Sequence, residues 1–91
     1  MDGAFDYRGK TVFVAGGSSG INLGIAEGFA RAGAAVAIAS RSKSRVDAAA
    51  AALRAHGGEV MGETADVRDY AAVAAVLEKV SAALGPIDAL V

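Results

Sequence analysis

A short apolar run that breaks directly into glycine sets the terms for this chain. Thr11 to Ala15 (TVFVA) is nearly continuous and rich in β-branched residues, and the next five positions read Gly16-Gly17-Ser18-Ser19-Gly20. A strand with one wet face would alternate polar and apolar residues; a continuous run points to a strand covered on both faces by helices. After the glycines, Ile21, Ile25 and Phe29 recur at four-residue spacing, Glu27 and Arg31 form an i,i+4 pair, and Gly33 supplies a stop, so an amphipathic helix comes next. Gly24 and Gly28 lie one turn apart on it. Each lowers helix propensity by about 1 kcal/mol relative to Ala, a cost explained if helix and strand backbones pack closely there.

The pattern repeats. Ala35 to Ala39 is a second buried strand, Ser40 to Arg45 a polar, basic stretch, and Val46, Ala49, Ala50 and Leu53 a helical period closed by Gly57 and Gly58. Glu59 to Ala65 is a third strand diluted by Gly62, with a turn over Asp66 to Asp69. From Asp69 as N-cap, Val73, Val76, Leu77, Val80 and Leu84 keep a helical period up to Gly85 and Pro86, and Ile87 to Val91 opens a fourth strand. Strands alternating with helices at this spacing imply βαβ units, whose right-handed crossovers build an α/β fold with a parallel sheet and helices on both faces.

Composition narrows the function. A chain of 91 residues holds one domain at most, and 54% hydrophobic residues with 21% charged and a mean hydropathy of +0.41 exclude charge-driven disorder. A net charge of -1 provides no global field for nucleic acid or an anionic membrane, so anion binding must be local. Zero Cys and one His exclude a disulfide framework and leave little for a metal site or a Ser-His triad. The longest uncharged stretch, Thr11 to Ala26, is interrupted by the glycine cluster, so neither a membrane span nor a signal peptide is expected, and a soluble cytoplasmic protein is.

Three places on the chain can carry chemistry. The glycine turn aims backbone N–H groups and a positive helix end at one point, which holds phosphate without a cationic side chain. Gly16 would make the tight turn, Gly20 would admit a pyrophosphate, and Ser18 and Ser19 could donate hydroxyl hydrogen bonds; a ligand-free turn is the competing reading. No Gly-Lys-Ser/Thr closes the run, which excludes a Walker-type loop. About twenty residues on, a dinucleotide fold places the group that reads the adenosine ribose. Ser40 and Arg41 stand there, with Lys43 and Arg45 close behind, so three of nine cationic side chains fall within five residues. Cations at a helix start oppose its dipole, so helix stability does not explain them; a bidentate Arg on a 2′-phosphate does, with a solvated loop as the alternative. Asp66 and Val67 come after the third strand at the same sheet edge, where Asp66 would accept from the adenine amino group and Val67 would pack on the ring, or Asp66 would cap a helix. His56 at a helix end reads as a solvent-facing residue that complements the dipole. Tyr7 and Tyr70 have no Lys four residues later and read as packing and surface residues.

These residues resemble the short-chain dehydrogenases/reductases. The family motif Thr-Gly-x-x-x-Gly-x-Gly is matched at Gly16 and Gly20, with Gly9-Lys10 before the first strand and Asp66-Val67 after the third. Ala15 stands where the family has Thr and Asn22 where it has its third glycine, Asn being a residue that tolerates left-handed backbone. The resemblance implies a Rossmann-type doubly wound sheet of order 3-2-1-4. It also implies cofactor contacts from Gly16, Ser18, Ser19, Gly20, Ile21, Asn22, Ser40, Arg41, Asp66 and Val67, with NADP(H) preferred over NAD(H). The implied reaction is hydride transfer on a carbonyl, alcohol or enoyl-type small molecule, with a looser likeness to acyl-thioester reductases and a homodimer or homotetramer as the assembly. The family's Asn-Asn-Ala-Gly turn and Tyr-x-x-x-Lys helix are absent from this sequence. Residues 1–91 are accordingly expected to form the cofactor-binding half of a longer enzyme, with no catalytic residue of their own. A non-catalytic NADP(H)-sensing module and a nucleotide-donor transferase are the alternatives.

Overall fold

The computed structural model describes residues 6–18 and 20–91. Seven elements alternate: β1 Thr11–Ala15, α1 Gly20–Arg31, β2 Ala35–Ser40, α2 Lys43–Arg54, β3 Val60–Thr64, α3 Tyr70–Leu84 and β4 Ala89–Leu90. All strand pairs are parallel and the order is β3-β2-β1-β4. The continuous apolar character of β1 and β2 has the expected cause. Val12, Val14, Val36 and Ile38 face one side, where Ala26, Ala30, Val46, Ala49 and Leu53 of α1 and α2 cover them. Phe13, Ala37 and Ala39 face the other and meet Val76 and Val80 of α3. The edge strands β3 and β4 are only half-buried.

Several local expectations change. In α1 the buried residues are Ala26 and Ala30, while Ile21 is 83% exposed, so the buried stripe lies one position along from Ile21, Ile25 and Phe29. Gly24 and Gly28 are exposed, and a Cβ at either would meet nothing within 4 Å. The close helix-on-strand contact lies instead at Gly62, where a Cβ would come 2.7 Å from Val46 Cγ1 of α2. The residue that weakened β3 as a sequence pattern is thus the one that lets α2 approach it. His56 is exposed, as expected, and its Nε2 also lies 3.5 Å from Glu27 Oε2, which links the end of α2 to α1. Tyr7 packs edge-on against Phe29, with ring centroids 5.1 Å apart, and Tyr70 is exposed. No helix among the described residues is long and apolar enough to cross a membrane.

Candidate functional site

The carboxyl ends of β1, β2 and β3 lie side by side, because the parallel register aligns Ala15 with Ala39 and Ser40 with Thr64. The turns that leave these three strands therefore gather at one sheet edge. After β1, Gly16 (φ 69°) and Gly20 (φ 63°) adopt left-handed backbone, the conformation that favours glycine. Gly16 N donates to Ala39 O at 2.7 Å, which pins the turn over β2. Gly17 is buried, and a Cβ there would stand 2.6 Å from Ile38 Cγ2, so the turn is also held against the sheet by close packing.

Asn22 takes a role other than the one its backbone tolerance suggested. No non-glycine residue among those described has positive φ, and Asn22 sits inside α1. Its Nδ2 donates to Ala15 O at 3.0 Å, so the side chain ties the first turn of the helix back to the end of β1. Ile21 projects from the same helix start. Ser18 Oγ donates to Ser40 Oγ at 3.0 Å, joining the glycine turn to the end of β2. Ser19 lies outside the described residues.

Between these two strand ends opens a cleft of ≈ 270 Å³ lined by Gly16, Ser18, Ser40, Arg41, Ser42 and Arg45. Its chemistry is one-sided: hydroxyls and two guanidinium groups line it, and among the described residues no carboxylate does. Ser42 caps α2, its Oγ accepting from Arg45 N at 3.3 Å. Lys43 does not join the cleft, since its Nζ donates to Asp47 Oδ2 at 2.7 Å, one turn along α2. That bond raises the Lys43 pKa. Among the described residues, neither Arg41 nor Arg45 has a carboxylate within salt-bridge distance. The donor set suits a phosphate monoester, which carries nearly two negative charges at neutral pH.

Asp66 is not a helix cap; that role belongs to Asp69, whose side chain accepts from Ala72 N. The Asp66 carboxylate instead receives Arg68: the backbone N at 2.9 Å and Nε at 3.1 Å on Oδ1, and Nη2 at 3.2 Å on Oδ2. These hydrogen bonds, with a smaller through-space effect of Arg41, hold its pKa below the usual carboxylate value. Val67 is exposed beside it. The structure thus brings the Gly16–Ser18 turn, Ser40–Arg41 and Asp66–Val67 to one edge. Residue types alone did not separate Arg45, which lines the cleft, from Lys43, which does not, although the i,i+4 spacing of Lys43 and Asp47 carries that signal. Nor did they single out Arg68, whose Asp-x-Arg spacing is the only trace in the sequence of its bond to Asp66.

A profile of the short chain dehydrogenase family matches residues 10–91. The chain is 44% identical over 90 residues to the short chain dehydrogenase/reductase AacuD of Aspergillus aculeatus, which covers 96% of this chain and 30% of that protein. It is 37% identical over 94 residues to a peroxisomal 2,4-dienoyl-CoA reductase of Arabidopsis thaliana, covering 100% of this chain and 32% of that one. The crystal structure of L-sorbose reductase from Gluconobacter frateurii, complexed with NADPH and L-sorbose, superposes with a TM-score of 0.89 at 39% identity, over 99% of this chain and 34% of the other. The chain therefore spans about a third of the length of these relatives. One of them is named for an acyl-CoA and another for a sugar, so the likeness reaches across both substrate classes. Glycine turn, sheet order and family profile agree, and this chain belongs to the short chain dehydrogenase family.

Proposed function

We propose that residues 1–91 are the NADP(H)-binding part of a longer oxidoreductase that transfers hydride between NADP(H) and a carbonyl, alcohol or enoyl-type small molecule. The observation that carries this reading is the cleft at the ends of β1 and β2, where Arg41 and Arg45 stand without carboxylate partners among the described residues. NAD(H) would call for a carboxylate to accept from the ribose hydroxyls, and none of the described residues lining the cleft carries one. The L-sorbose reductase structure is a complex with NADPH, which supports the same reading. On this reading, Gly16, Ser18, Ser19 and Gly20 receive the pyrophosphate at the start of α1, Ile21 and Asn22 border it, and Ser40 and Arg41 take the 2′-phosphate. Asp66 and Val67 hold the adenine.

The bound nicotinamide would supply the hydride chemistry; this chain's residues bind and orient the dinucleotide. The span of about a third of each relative leaves the acid/base residues and the substrate pocket to the remainder of a longer chain, which would assemble as a homodimer or homotetramer. Titration of the protein with NADPH and NADH tests the cofactor assignment, the expected result being tighter binding of NADPH. Equal affinities would refute it, and an intact mass of 9.0 kDa for the natural protein would refute the longer enzyme.

A further inference from the structure

Asp66 can serve a ligand only with what Arg68 leaves free. An ionised carboxylate has four lone-pair sites. Oδ1 already accepts from Arg68 N and Nε, whereas Oδ2 accepts only from Nη2. One acceptor position remains, on Oδ2, and the guanidinium fork fixes its direction. The fork also keeps Asp66 ionised, so at that position it accepts and does not donate.

The arrangement forms without a ligand. Asp6 and Arg8 have the same Asp-x-Arg spacing and form the same contacts, with Arg8 N and Nε on Oδ1 at 3.0 and 2.9 Å and Nη2 on Oδ2. The spacing alone therefore folds the pair. What distinguishes Asp66 is its place: it comes after β3, one strand over from Ser40, whose carbonyl accepts from Ala65 N at 2.9 Å, and it lies within the electrostatic reach of Arg41. A carboxylate oriented before binding loses less freedom when the ligand arrives.

We infer that Arg68 is a positioning residue that sets base selectivity at this site, aiming one acceptor lone pair of Asp66 at a purine 6-amino group and thereby rejecting 6-oxo purines. A 6-amino group donates an N–H to that lone pair. A 6-oxo group presents a carbonyl oxygen to it, and two acceptors facing each other leave both unpaired. The inference rests on the cofactor-site reading above, in which Asp66 meets the adenine, and goes one step further, to Arg68, a residue outside the family motif.

The test compares NADP+ with its hypoxanthine analogue, nicotinamide hypoxanthine dinucleotide phosphate, by calorimetric titration of the full protein. Both carry the same phosphates and ribose, so their affinity ratio isolates the base. The wild-type protein is expected to prefer NADP+ by about tenfold or more, and Arg68→Ala to cut that ratio to about two- or threefold, mainly by weakening NADP+. Arg68→Lys, which keeps the charge without the fork, should not restore it. Asp66→Asn, whose amide can donate, should shift preference toward the analogue. The NADP+ to NAD+ ratio should be unchanged in Arg68→Ala, because the 2′-phosphate site is untouched. Equal weakening of both dinucleotides by Arg68→Ala, or an unchanged ratio, would overturn the inference while leaving the cofactor reading in place. Failure of the wild-type protein to bind either dinucleotide would overturn both.

Discussion

Two arginines and a lysine lie within five residues, yet their surroundings assign them different work. Arg41 and Arg45 border the cleft, while Lys43 is held by Asp47 one helical turn away. If the cleft takes a 2′-phosphate, Arg41→Ala and Arg45→Ala should each weaken NADPH binding by roughly tenfold or more and leave NADH within about twofold, since each removes charge-assisted hydrogen bonds. Lys43→Ala should leave the NADPH to NADH ratio unchanged. Parallel titrations of the three variants decide the matter: an effect of Lys43→Ala equal to that of Arg45→Ala would mean that the cluster acts as a diffuse field rather than as two placed forks. Much of this was legible from residue types. The basic run after β2 stands out in the sequence, and the absence of Asp or Glu at its head separates it from an NAD-type ribose site. The division of labour within the run shows in the sequence only as the i,i+4 spacing of Lys43 and Asp47, which becomes a contact because α2 begins at Lys43 and puts both on one face.

At the level of elements, glycines that look alike in sequence have opposite consequences. Gly24 and Gly28 lie on an exposed face of α1 with open space where a Cβ would go. Replacing either with Ala should stabilise the fold by about 0.5–1 kcal/mol, through helix propensity and lower entropy of the unfolded chain. Gly62 lies under α2, where a Cβ would press on Val46 Cγ1 at 2.7 Å and Ala50 Cβ at 3.3 Å. Gly62→Ala should therefore destabilise by about 1–3 kcal/mol as α2 is pushed from β3. Urea unfolding of the three variants reads both signs, and a stabilising Gly62→Ala would show that α2 shifts at no cost. Periodicity located every element here, because apolar runs and helical spacing record which faces are buried. It did not locate close approaches. A missing Cβ leaves the same gap in a pattern whether the neighbour is backbone, side chain or water, so Gly24 and Gly28 read as contact points while Gly62 read as a defect. Asp69 shows the reverse case, a cap recognisable in advance because a short acceptor before a helical period has few other uses.

For the whole molecule, the sheet's two edges are finished differently. On β3, Arg54 Nη2 donates to Val60 O at 3.2 Å, and Lys79 Nζ reaches across from α3 to Glu63 Oε1 at 3.0 Å, so charged side chains guard that edge. β4 is joined to β1 on its inner side, through Val91 N to Phe13 O at 2.9 Å and through Asp88 Oδ2, which accepts from Thr11 N at 2.8 Å. Its outer edge is unpaired among the described residues, and on the sheet face shared with Phe13 and α3 it carries Leu90, 64% exposed, beside an apolar groove of ≈ 180 Å³ formed with Leu77 and Ile87. An apolar parallel strand with its outer side open is a template for another strand. Residues 1–91 produced on their own should therefore associate through β4 as concentration rises, and Leu90→Lys should return them to a 9.0 kDa monomer. Sedimentation of both forms over a wide concentration range provides the check. Association that Leu90→Lys leaves intact would place the contact elsewhere, and a wild-type monomer throughout would mean that two paired residues make too short a template. In the longer enzyme proposed above, a further strand of the same chain would occupy this edge, and the Leu90→Lys charge would then be destabilising instead of solubilising. That reversal of sign between the short and the long chain would identify β4 as an internal strand of the complete sheet.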